Sequence, residues 1–322
     1  MSNYLGPTFQ LVDTISAEEF ENKMGKTFNR PLLVKGAVKQ WPAWEKWTFS
    51  QIAKLKNPKG QEVITSFQNG LVEQGVTKEP LMLPTTPYLL ELEAAAKKTR
   101  EEWRDDIGLC PDRVWKNLRR EDEFHLNWSH LQSFTPNKIY LAQWDILNEF
   151  PELKKDFEIR SLWKEWRWTW EYVFIGPSNT VTGLHYDFPN NWFCQMQGVK
   201  EFLLFPPENT PYMCKSKKYD WGATLSDINI SKLHEQKNES TSFEKTRGLY
   251  ARVEAGDALF VPRKTWHAVI SLEPSISLAV FGLTFPEIIL GGGAAEIRAL
   301  AHRLHLYRWG NCTCHKMNKS TK

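Results

Sequence analysis

The sequence predicts a mainly β domain: a small barrel of short strands, helices at both ends, and a metal held in the barrel's mouth. Two observations carry that expectation. One is the set His185, Asp187 and His267, in Thr-Val-Thr-Gly-Leu-His-Tyr-Asp and in Val-Pro-Arg-Lys-Thr-Trp-His-Ala-Val. The other is the run of short apolar segments between Gly and Pro turns around them. His-x-Asp suits an extended strand, because residues i and i+2 project from one face. Two imidazoles and a carboxylate on one side of Fe(II) leave the opposite positions open for a chelating co-substrate and O₂. His267 must come from a second strand that the fold brings alongside.

The tripeptide alone reads first as a surface pair at a strand end, and its neighbours change that. Lys200 closes Asn-Asn-Trp-Phe-Cys-Gln-Met-Gln-Gly-Val-Lys and precedes the apolar run Phe202 to Phe205, a buried strand. A lysine there points inward to a carboxylate or outward to water; taken alone, outward is the ordinary outcome, since Lys is rarely buried unpaired. Gly256 and Asp257 make a turn, Leu259 to Val261 a short strand, and Ser275 to Phe281 another. Metal-ligand candidates on such strands describe a small barrel.

In chain order, Ala17 to Met24 is expected as a helix after Ser16, Pro31 to Val34 as a strand, and Ser50 to Leu55 as the start of another helix. Leu89 to Arg104 is a helix by propensity. Residues 105–135 are polar and poorly patterned, a helix-loop excursion. Strand-like segments run from Lys138 to about Phe285, and Trp166, Trp168 and Trp170 alternate within them as a strand would. Those tryptophans read first as packing and second as a wall beside a substrate groove. After Gly291-Gly292-Gly293, Ala294 to Leu306 reads as a helix whose Ala295, Ile297, Leu300, Ala301 and Leu304 pack on the barrel or on a second subunit. His302 and His305 there read as surface residues. The expected division is 1–135, an N-terminal helical and strand extension; 136–290, the barrel; and 291–322, the C-terminal helix and polar tail.

These residues resemble the JmjC/cupin-like family of Fe(II)- and 2-oxoglutarate-dependent oxygenases, most of all its protein-hydroxylase branch, the factor-inhibiting-HIF-like enzymes. The likeness is carried by Gly-Pro-Ser-Asn-Thr-Val-Thr-Gly-Leu-His-Tyr-Asp, by Asn191-Trp192-Phe193 with Gln195 to Lys200, by Leu-Phe-Pro-Pro-Glu-Asn-Thr, and by Gly-Asp-Ala-Leu-Phe-Val-Pro-Arg-Lys-Thr-Trp-His. Upstream, Lys-Ile-Tyr-Leu-Ala-Gln-Trp-Asp and Arg30-Pro-Leu-Leu-Val-Lys-Gly-Ala are similar to earlier segments of the same family. The likeness covers roughly residues 13–290.

The resemblance implies a double-stranded β-helix, the jelly-roll of the cupins. It implies His185, Asp187 and His267 as catalytic iron ligands, and Lys200 as the partner of the distal carboxylate of 2-oxoglutarate. Thr182 and Tyr140 would donate hydroxyl hydrogen bonds to that carboxylate, with Asn191 near the chelating end. Charge-assisted bonds of this kind hold a carboxylate in a dry pocket. Two departures stand out. The family often places an Asn on the strand after the distal His, where this chain has Ala279-Val280-Phe281-Gly282. The stretch 208–248 also lacks the family's usual pattern.

With 41% apolar and 25% charged residues the chain is an ordinary folded protein. A net charge of +3 does not favour nucleic acid, where a concentrated basic face is expected. The N-terminus shows no signal-peptide pattern, and no apolar run is long enough for a membrane span. Five cysteines, an odd count, fit a reducing cytoplasm or nucleus. Cys312-Thr-Cys314-His315 is half of a zinc pattern with no second pair nearby in sequence, so it reads as a polar tail.

The implied function is a 2-oxoglutarate-dependent dioxygenase, a hydroxylase of a macromolecular substrate, with a protein side chain or peptide ahead of nucleic acid. Lysine demethylation or tRNA-base hydroxylation on the same site are the alternatives, as is a non-catalytic cupin-like binding module. The module would need a lost ligand, and none is lost. A homodimer through the C-terminal helix and the packing of that helix on its own barrel stand as equal expectations.

Overall fold

The computed structural model describes residues 5–23, 28–69, 80–101, 107–220, 222–289 and 293–312. In chain order the strands are β1 (Thr8–Leu11), β2 (Asp13–Ser16), β3 (Leu32–Lys35), β4 (Ile64–Asn69), β5 (Leu81–Pro84), β6 (Phe124–His125), β7 (Ile139–Trp144) and β8 (Trp168–Gly176). They continue as β9 (Val181–Asp187), β10 (Asn190–Gln197), β11 (Lys200–Phe205), β12 (Ala223–Leu225), β13 (Arg247–Val253), β14 (Ala258–Val261), β15 (Trp266–Ser271) and β16 (Ser275–Leu283). One sheet runs β12-β9-β15-β11-β13-β1-β6, the other β2-β3-β14-β10-β16-β8-β7-β4-β5. This is the mainly β, cupin-like jelly-roll that the sequence predicts.

Two facing sheets need alternating side chains, and the registers supply them. Between the sheets lie Phe193, Phe202, Leu204, Ala251, Val253, Leu259, Val261, Val269, Ala279 and Phe281. Their sequence neighbours Leu203, Phe205, Tyr250, Trp266, Ala268 and Ile270 face outward into a second core under the smaller sheet. Trp192, Cys194, Phe260, Leu278 and Val280 face a third core outside the larger one.

The expected strand and helix around residues 17–55 form as the helix Ala17–Asn22, β3 and the helix Phe49–Ile52. The strong helix runs Thr85–Glu101, starting a turn earlier than expected. Residues 105–135 differ from their reading as a polar excursion. Leu109, Phe124, Leu126, Trp128 and Leu131 are buried in the outer core, and β6 joins the smaller sheet. Their apolar residues are too irregularly spaced to show a period, because short helices and a two-residue strand break it. Trp166 does not share the face of Trp168 and Trp170. It packs on Trp163 at 5.5 Å, over Gly282, where a Cβ would fall 2.0 Å from its ring.

The terminal helix spans Gly293–Arg303. It corrects the reading of its histidines: His302 is only 4% exposed, while His305 is on the surface. Among its described side chains, Ala299 is the apolar one it buries. Ile297 (70% exposed), Leu300 (56%) and Leu304 face outward, so these three residues of the expected stripe do not pack on the barrel; Ala301 is half-buried, and the side chain of Ala295 lies outside the described ones. Cys312 is also buried, against the expectation of a free tail; Cys314 and His315 lie outside the described residues.

Candidate metal centre

β9 and β15 are hydrogen-bonded neighbours, with His185 opposite His267. Asp187 follows on the same face of β9, so the donor atoms of all three residues lie within 4.8 Å of one another. The Nε2 atoms of His185 and His267 are 3.8 and 3.6 Å from the Asp187 carboxylate oxygens, and the rings are 4.2 Å apart. Each Nδ1 lies against a backbone carbonyl two residues upstream: Gly183 O at 2.8 Å and Thr265 O at 2.9 Å. A carbonyl only accepts, so Nδ1 carries the proton and Nε2 presents its lone pair to a metal. Burial, helped by His185, pushes His267 down to about 3 and keeps the imidazole neutral, the ligating form. Burial also pushes Asp187 up to about 6, with Asp220 adding to the rise and His185 opposing it.

Deeper in the barrel, Lys200 enters β11 pointing inward and is 1% exposed. Its ammonium donates to the Tyr140 hydroxyl at 3.1 Å and lies over the Tyr140 and Phe193 rings. Burial pushes Lys200 down to about 7. No carboxylate partner of this ammonium occurs among the described residues. Tyr140 has its space because Gly176 lacks a Cβ, which would fall 2.4 Å from the ring. Sequence reasoning missed Gly176; only the register of β7 against β8 reveals it.

Thr182 is half-buried and opposite Val269, which lines the interior. Between His267–His185 and Val269–Thr182, β15 has one residue and β9 has two. This bulge at Gly183 and Leu184 turns Thr182 to the face of His185. Asn191 is buried with its Oδ1 unpartnered, on a rung between Val261 and Phe281. Ser275 Oγ, also buried and unpartnered, sits opposite Gly176. The inward residues of the departing stretch are Ala279 and Phe281, and Phe281 stacks on Trp170 at 6.1 Å. Trp168, 54% exposed, continues that aromatic wall to the rim. A cleft of about 780 Å³ lined by Phe20, Val34, Phe157 and Leu162 opens outside the larger sheet, away from these residues.

A family model for the cupin-like domain matches residues 17–281. The chain belongs to this family, whose JmjC members are Fe(II)- and 2-oxoglutarate-dependent oxygenases. It is 22% identical over 281 residues to Jumonji C domain-containing protein 5 of Drosophila melanogaster, covering 83% of the chain and 58% of that protein. It is 24% identical over 278 residues to human tRNA wybutosine-synthesizing protein 5, covering 86% of the chain and 78% of that protein. Arginine-specific demethylase JMJ22 of Arabidopsis thaliana is 23% identical over 275 residues, covering 82% of the chain and 44% of that protein. The chain thus spans little more than half of some relatives. Among the described residues, no helix is long and apolar enough to cross a membrane.

The residues fit the groups the family uses. Two imidazoles and one carboxylate form the facial donor set of non-haem Fe(II). A buried lysine with no carboxylate partner among the described residues leaves a positive charge for a small anion to satisfy.

Proposed function

We propose that this chain is an Fe(II)- and 2-oxoglutarate-dependent dioxygenase that hydroxylates a macromolecular substrate, a protein side chain. One observation carries the reading: a single barrel holds a His-Asp-His face and a fully buried lysine with no carboxylate partner among the described residues. A lone metal-binding module has no need for that lysine, whose burial is costly.

Iron, when bound by His185, Asp187 and His267, supplies O₂ activation coupled to the oxidative decarboxylation of 2-oxoglutarate. The chain's own residues bind and orient. Lys200 takes the distal carboxylate, with Tyr140 and Thr182 offering hydroxyls beside it. Asn191 faces the chelating end. Phe193, Phe202 and Phe281 keep water from the interior. The aromatic wall from Trp170 to Trp168 leads from this interior to the rim and receives the substrate. The exposed Ile297–Leu300–Leu304 face pairs with its copy in a homodimer, since a two-fold contact buries one patch on both subunits.

A tRNA base is the second reading. It is favoured by the share of human tRNA wybutosine-synthesizing protein 5 that the chain spans, 78%. Full-length protein with Fe(II) and 2-oxoglutarate is offered peptide pools and RNA pools. The reading requires succinate release and a gain of one oxygen atom in a peptide. Incorporation into RNA alone would move the substrate to the second reading, and no 2-oxoglutarate turnover with any pool would end both.

A further inference from the structure

The turn between β14 and β15, Pro262-Arg263-Lys264-Thr265, carries a second cation at the mouth of the barrel, outside the metal and co-substrate chemistry. Its backbone is fixed from three sides. Thr265 N–H donates to Pro262 O at 3.1 Å, and Lys264 N–H donates to the backbone oxygen of Asp187 at 3.0 Å. Arg263 N–H donates to Asn190 Oδ1 at 3.0 Å, while Asn190 Nδ2 donates to both Glu287 oxygens at 3.0 Å. The turn is thus tied to the strand of a candidate metal ligand on one side and to β10 on the other.

The Arg263 side chain is not tied down in this way. Its guanidinium lies over the Phe188 ring, 4.9 Å from the centroid, and Phe188 directly follows Asp187. Arg263 Nη1 is 4.0 Å from Glu287 Oε1, beyond hydrogen-bond distance. Glu287 is already occupied: besides Asn190, it accepts from Thr284 N–H and Thr284 Oγ1 at 2.8 and 2.9 Å. Glu287 therefore offsets part of the charge and takes none of the donors. Among the described residues the guanidinium has no hydrogen-bond acceptor, and its Nε is buried without a partner. The side chain is 21% exposed, so a molecule entering the mouth can reach it.

A stacked guanidinium on a fixed turn, with its donors unused, recognises a carboxylate through paired charge-assisted hydrogen bonds. It stands over the residue next to Asp187, so the anion it holds lies close to the atom that reacts. Resting on the protein-side-chain reading above, we infer that Arg263 is a specificity-determining residue that binds an Asp or Glu side chain of the substrate peptide. An extended peptide advances about 3.3 Å per residue, which puts that acid within about three positions of the reacting residue. The Trp168–Trp170 wall belongs to β8 in the larger sheet, whereas the Arg263 turn leads into β15 in the smaller one. Apolar and acidic contacts to the substrate therefore come from different sides of the mouth.

The test offers full-length protein two random peptide pools. They are alike except that one carries Asp or Glu, and the other Asn or Gln, on either side of a randomised centre. Capture on the chain loaded with Mn(II) and 2-oxoglutarate reads binding, and oxygen gain with Fe(II) reads reaction. The acidic pool should be captured about tenfold better. Arg263→Gln should abolish that preference, Arg263→Lys should keep part of it, and Arg263→Glu should turn it toward a pool bearing Lys. Mn(II) titration of each variant should match wild type, which separates loss of the cation from collapse of the turn. A preference lost only together with Mn(II) affinity would overturn the assignment. Equal capture and equal oxygen gain in both pools would overturn this inference alone. No capture and no oxygen gain in either pool, or an Arg263→Gln effect confined to an RNA pool, would overturn it together with the protein-side-chain reading.

Discussion

Replacing Lys200 by Met should stabilise the empty protein while removing its affinity for 2-oxoglutarate. The ammonium is buried with no carboxylate partner among the described residues, and burial pushes it down from 10.5 to about 7, which sets the scale of the cost of charging it. At about 1.4 kcal/mol for each tenfold change, that cost is on the order of 5 kcal/mol. Met keeps the stem's packing but leaves the Tyr140 hydroxyl without its partner, which returns about 1–2 kcal/mol. The net gain is therefore about 3 kcal/mol. Its pH dependence has a definite sign. A lysine depressed in the folded state carries its full penalty at and below about pH 7, and the penalty fades as pH rises toward 10.5. The advantage of Lys200→Met should shrink by about 1.4 kcal/mol per pH unit across that window. Urea unfolding of both proteins near pH 6.5 and near pH 9.5 measures it. Calorimetry with a redox-silent divalent ion in the triad measures 2-oxoglutarate binding, which should weaken at least ~100-fold. A variant less stable than wild type at both pH values, or one that binds 2-oxoglutarate as wild type does, would refute the reasoning.

His185→Ala and His267→Ala should each weaken Fe(II) or Mn(II) binding by at least ~10-fold, read by metal titration, because two ligands do not hold a labile ion. Gly176→Ala would place a Cβ 2.4 Å from the Tyr140 ring. It should weaken 2-oxoglutarate binding about tenfold with metal affinity unchanged, and equal weakening of both would point to general damage. Glu201→Leu should cost about 3 kcal/mol in unfolding free energy, since Leu109 N–H, Cys110 N–H and the Tyr250 hydroxyl all lose their acceptor. Ile297→Glu with Leu300→Glu should convert a dimeric sedimentation profile to a monomeric one; a monomeric wild type at micromolar concentration would remove the homodimer.

The pairing of His185 with Asp187 on one face was legible because it needs only strand alternation, whereas the inward turn of Lys200 and the approach of His267 were expected from the family resemblance and not from local pattern. The core of residues 107–131 was not legible, since its packing answers to Glu201 and Tyr250 from distant strands and not to any period of its own. Glu201 is fully buried and accepts two backbone N–H groups at 2.9 and 3.1 Å, so a charged residue, not an apolar one, docks that segment. Arg252 and Asp112 add a buried pair beside it. His302 was misread for a similar reason. A histidine on an outwardly apolar helix looks like surface until Tyr219, eighty-odd residues earlier, is folded against it.

β11 shows how the two halves of the molecule depend on one alternation. Lys200 and Glu201 are adjacent and both fully buried, yet they face opposite sides of one sheet. Lys200 has no carboxylate partner among the described residues on the interior side, where, on the proposed reading, its charge serves a bound anion. Glu201 is fully satisfied on the outer side, where three donors and the nearby Arg252 charge hold it. On the proposed reading, stability and binding fall on opposite faces of the same strand. A one-residue slip of β11 would exchange them, placing an acid against the co-substrate and a lysine against backbone N–H groups that it cannot accept from. The bulge in β9 performs the complementary task. It shifts the phase by one residue between Thr182 and His185, so a candidate metal ligand and a hydroxyl three positions apart share an interior face that regular alternation would deny them.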